Sequence, residues 1–103
     1  MDNANSWKQL FTHWPAELPR DGILITTFDE QIPFNGFMTS DSMVLVDRRT
    51  PDTLGSRKIM LPFGCIAAVK FTEVLKNRAF RAAGFDDLSA KKVSSGAVPA
   101  GSH

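Results

Sequence analysis

The chain has little of what catalytic and metal centres are usually built from. It contains one cysteine and two histidines in 103 residues. One cysteine excludes an intrachain disulfide and a cysteine-cluster metal site, and Cys65 reads as a small buried hydrophobe. His13, between Thr12 and Trp14 on an amphipathic stretch, reads as a partly exposed structural histidine. His103 lies in the terminal segment. There is no glycine-rich phosphate loop, zinc spacing or calcium loop, and no pattern that sets a nucleophile beside a base or two acids in a cleft. A non-enzymatic protein without a cofactor is expected.

Charge of one sign is also missing. The formal net charge is +1, so the chain as a whole lacks the bias of most nucleic-acid or anionic-membrane binders, and any basic patch must be local. Long apolar runs are absent too. None approaches the roughly 18 residues of a membrane span, and the opening "MDNANSWKQL" is polar, unlike a signal peptide. No membrane partner and a cytoplasmic location are expected.

What is present speaks of architecture. Ser6 precedes Trp7, Leu10, Phe11 and Trp14, a spacing that puts four large apolar residues on one face of a helix. Ser6 is the expected N-cap and Pro15 the stop. A helix of about ten residues is marginal alone in water, so this face must dock on something apolar. Strands are expected at "ILITTFD", at "IPFNGFMTS" with a bend or bulge at Gly36, at "MVLV", at "IMLPF" and at "CIAAVKFTE". In the last, Cys65, Ala67, Val69 and Phe71 are expected on one face. The segment "VLKNRAFRAAGF" carries Leu75, Ala79 and Ala83 at helical spacing, with Gly84 as the expected C-cap of a short C-terminal helix.

The expected organisation is a flexible N-terminus over 1–5, a small β-barrel domain with flanking helices over 6–85, and a disordered tail over 86–103. From Ser89 onward the residues are small or polar and bury too little to offset their ordering entropy. The fold class is mainly β: five short strands in a strongly bent sheet that closes toward a barrel. A body this small gains from a partner or from self-association.

This order of elements resembles the Sm-like family, within the wider group of SH3-like barrels. The likeness covers residues 6–72: a short N-terminal helix, five strands, Gly36 in the second strand followed by Asp41, and the closing segment "IMLPFGCIAAVKF" with Ile66 and Val69 as paired apolar residues. The resemblance implies a homo-oligomeric ring with RNA as partner. The family's RNA-contact residues are not matched. Asp29-Glu30 stands in place of Asp-Gly, Ser42, Met43 and Val44 follow Asp41 where an asparagine is expected, and Pro62, Phe63 and Gly64 replace the closing basic pair.

Two functional readings stay open. In the first, Arg48, Arg49, Arg57 and Lys58 flank one loop and would converge on phosphates if the bordering strands pair, with Lys70, Lys76, Arg78 and Arg81 further on. Asp47 and Asp52 would neutralise part of that cluster. In the second, the chain is a structural or protein-interaction module whose contacts are Trp7, Phe11 and Trp14, because aromatic residues are enriched at interfaces.

Overall fold

The computed structural model describes residues 2–86. Helix α1 (Asn3–Thr12) is followed by β1 (Gly22–Thr26), β2 (Gln31–Thr39), β3 (Met43–Arg48), β4 (Lys58–Pro62), a 3-10 turn (Phe63–Cys65), β5 (Ile66–Lys70) and a 3-10 segment (Asn77–Ala83). The expected tail lies, from residue 87 on, outside the described residues.

The helix begins earlier than a Ser6 cap would have it. Asp2 is the N-cap, its carboxylate accepting from the Asn5 amide at 2.7 Å, which satisfies one of the donors that a first turn leaves open. Residues 3–5, expected to be flexible, are helical. Asn3 explains why: its side-chain amide donates to the carbonyls of Gly64 (3.2 Å) and Ile66 (3.1 Å), while its oxygen accepts from Trp7 Nε1 (3.0 Å). The first turn is thereby tied to the corner between β4 and β5.

The five strands form one antiparallel sheet in the order β4-β3-β2-β1-β5. It is mainly β as expected, but it does not close. β4 and β5 occupy the two edges and are connected by the 3-10 turn, while α1 packs against that turn. Inward positions alternate along each strand and carry Leu24, Ile32, Phe34, Val44, Val46 and Ile66, all fully buried. Phe11 completes this core, meeting Phe37 edge-on at 4.9 Å and Phe63 at 6.5 Å.

Two irregularities set which side chains face in. The β2–β3 register shifts between Phe34 and Gly36, where the sequence suggested a bulge, and this lets both Phe34 and Phe37 point inward. A second shift, between Ile25 and Thr26 opposite β5, was not expected. It breaks the simple alternation from Cys65 to Phe71: Ile66 is buried and Val69 packs on the core, whereas Ala67 is exposed. Thr26, the one buried polar residue among those described, is satisfied by organising the β1–β2 turn. Its hydroxyl accepts from the amides of Phe28 and Glu30.

Beyond β5, the expected α-helix is a 3-10 segment. Gly84 does cap it, in the left-handed conformation at φ 100°. Phe71 links this segment to the body, lying 6.1 Å from Trp14 and 5.6 Å from Phe80.

Candidate interaction surfaces

The basic loop follows directly from the β3–β4 hairpin. Asp47 faces Lys58 in the ladder, and the Arg48 amide donates to the Arg57 carbonyl at 2.8 Å, so the two basic pairs do meet. Their charges are largely consumed on arrival. Lys58 is ion-paired with Asp47. Arg49 lies 3.7 Å from Asp21 and donates to the Phe34 carbonyl at 3.3 Å. Arg48 is largely turned in: its side chain is 9% exposed, its Nε donates to the Thr50 carbonyl, and Nη1 sits 3.9 Å from Glu30 without a hydrogen bond among the described residues. Of these four residues, Arg57 alone is both exposed and outside any ion pair among the described residues.

The loop itself is ordered by Asp52. Its carboxylate accepts from the amides of Leu54 (2.9 Å) and Ser56 (2.8 Å), and the Ser56 amide foremost holds its pKa below the usual carboxylate value. Asp52 therefore acts here first as a turn former, with the charge of Arg48 a lesser influence.

The aromatic triad is committed inward, although α1 ends at Thr12, short of the expected stop at Pro15, and leaves Trp14 just beyond the helix. Phe11 is 3% exposed, and Trp7 and Trp14 are half-buried against the same core. Trp14 Nε1 donates to the Leu18 carbonyl at 3.3 Å, and the Trp14 ring meets Phe37 at 4.9 Å. Only the outer flanks of the two tryptophans remain for a partner. Arg20 reinforces this packing, donating to the Phe37 carbonyl at 2.7 Å with its guanidinium 3.9 Å above the Phe37 ring.

No family model, curated protein or solved structure matches this chain. Its surface chemistry has to be read from its own residues.

Two features were not singled out in the sequence. On the outer face, Met38 pairs with Leu45 and Leu45 with Met60, so three apolar side chains stand in one row across β2, β3 and β4. Met38 is 66% and Met60 67% exposed, and together with Met43 they border an open groove of about 250 Å³. The signal was present as strands apolar on both faces, but only the register puts the three residues side by side. The second feature is an open cleft of about 740 Å³ where the 3-10 segment faces Glu17. It gathers Lys76, Arg78 and Arg81, cations with no salt bridge among the described residues.

Among the described residues, no group of three His, Cys, Asp or Glu is placed to hold a metal ion. No described helix is long and apolar enough to cross a membrane. Asp41, the residue on which the family resemblance turned, is 99% exposed and ion-paired with Lys8 of α1 at 3.0 Å.

Proposed function

We propose that the protein is a non-enzymatic assembly module of the SH3-like or Sm-like barrel kind, and that its first partner is a second copy of itself. The element order supports the fold assignment: a short helix, five antiparallel strands, and a closing strand, tight turn and strand. The observation that carries the function is the Met38–Leu45–Met60 row, which runs across the sheet to edge strand β4, whose outer side has no strand partner among the described residues. An edge strand offers unpaired backbone donors and acceptors to another chain. Flexible methionines suit a surface that must repack on contact, and an exposed apolar row of this kind is a common mark of an interface.

Light scattering tests this reading. The wild-type chain is expected to run as a discrete oligomer, and Met60→Lys, which places a charge in the middle of the contact, as a monomer with an unchanged melting temperature. A wild-type monomer at high micromolar concentration ends the proposal.

RNA binding through Arg48, Arg49, Arg57 and Lys58 is the second reading, favoured by the exposed Arg57. Local acids neutralise the rest of the cluster, which places it behind assembly. Arg57→Glu is the informative variant, because a change at Arg48 disturbs a buried side chain. RNA affinity that falls steeply with salt in the wild type and drops in Arg57→Glu supports it.

A further inference from the structure

Positive charge also gathers at the 3-10 segment, whose neighbours in sequence include Glu73 and Asp86. Between Val74 and Phe85 there are three cations and no acid. All three, Lys76, Arg78 and Arg81, are exposed and line the cleft at the 3-10 segment. None of them forms an ion pair among the described residues. The single acid facing them is Glu17, contributed by the loop between α1 and β1.

The rest of the lining is aliphatic. Leu75 and Ala79 are half-buried and form the floor, while Val74 stands fully exposed at the side. At about 740 Å³ the cleft falls in the size range of ligand-binding clefts, ~300–1,000 Å³.

We infer that this cleft binds an acidic peptide segment of a partner protein, one in which carboxylates alternate with apolar side chains. The cations would receive the carboxylates, and the aliphatic floor the apolar residues. Arginine makes paired hydrogen bonds to a carboxylate, and two of the three cations are arginines. A single-stranded nucleic acid fits less well, because base recognition without sequence preference uses aromatic faces and no aromatic side chain lines the cleft. An anionic bilayer fits less well too, because the cations surround a concavity. The site shares no residue with the Met38–Leu45–Met60 row, so it stands or falls apart from self-assembly.

The test is fluorescence anisotropy with a labelled peptide of alternating glutamate and leucine, run beside the matching lysine–leucine peptide, oligouridylate and phosphatidylserine vesicles. The glutamate–leucine peptide is expected to bind best, and to weaken as salt rises. Arg78→Glu with Arg81→Glu is expected to weaken it by at least about tenfold, and Glu17→Gln to tighten it a few-fold. Because these side chains are exposed, an unchanged melting temperature shows that both variants are folded. Equal binding by the double-glutamate variant, no binding by the wild type, or a preference for oligouridylate or vesicles would overturn the inference. Met60→Lys, expected to abolish self-association, is expected to leave peptide affinity unchanged.

Discussion

Gly22→Ala probes the close approach between β1 and the edge strand β5. Gly22 opens β1, next to Ile23, which pairs with Lys70 at the end of β5. A Cβ built on Gly22 would lie 2.5 Å from the Lys70 carbonyl oxygen and 3.6 Å from the Lys70 carbonyl carbon. The obstacle is backbone and cannot swing aside as a flexible side chain would. Relief requires β5 to move away by roughly half an ångström or more, in a region where Leu24 is fully buried and Val69 packs on the core. Overpacking of this kind costs about 1–3 kcal/mol. Replacing glycine by alanine also lowers the entropy of the unfolded chain, which returns about 0.4–1 kcal/mol. The net expectation is a loss of about 1–2 kcal/mol, read by circular dichroism as a fall of roughly 4–16 °C in melting temperature for a domain of this size. Gly64→Ala is the control: its added Cβ would touch only Ala4 Cβ at an ordinary 3.6 Å, so its melting temperature should stay close to that of the wild type. If Gly22→Ala matches or exceeds the wild type, the close approach of β1 to β5 is wrong.

Two further outcomes follow from side chains that tie distant segments together. Asn3→Ala removes both amide donors to the Gly64 and Ile66 carbonyls and should cost about 1–2 kcal/mol; faster amide exchange in α1 and a shifted Trp7 indole resonance would accompany it, and an unchanged α1 would count against the tether. Asp52 is held ionised below its usual range by the Ser56 amide. A carboxyl whose pKa is lowered by folding stabilises the fold above its unfolded value near 3.8, and this support is lost as pH falls through the lowered folded value. The Leu54 and Ser56 amide resonances should therefore move together on acidification below the ordinary carboxylate range. In Asp52→Asn they should be insensitive to pH there, and a titration at or above the ordinary value would contradict the loop geometry.

Much of the fold was legible because it rests on local periodicity. The spacing of Trp7, Leu10 and Phe11 marks a helix face whichever residue caps it, though the helix ends before Trp14, and the β-branched runs mark strands. Gly36 announced its bulge, because a glycine inside a strand pattern has few other uses. What stayed hidden depends on partners distant in sequence. Asn3 reads as an ordinary polar residue until its contacts more than 60 positions away are known. The register shift opposite Ala67 leaves no residue signature, so the break it makes in the β5 alternation, with Ile66 buried and Ala67 exposed, was out of reach. Arg48 and Arg49 look like a solvated pair, and only the ladder geometry turns the first inward. The candidate surfaces were less legible for the same reason: the methionine row exists only once three strands are in register, and the cationic cleft only once Glu17 faces the 3-10 segment.

The tether between the first helical turn and the β4–β5 corner also sets an order of events during synthesis. The helix leaves the ribosome first, but the carbonyls that hold Asn3 belong to Gly64 and Ile66. At about 5–20 residues per second, the apolar side of α1 waits roughly 3–12 seconds for its seat to be made. Through that interval Phe11 and Trp14 can reach Phe37 but lack the part of their seat that Phe63 and Phe71 supply.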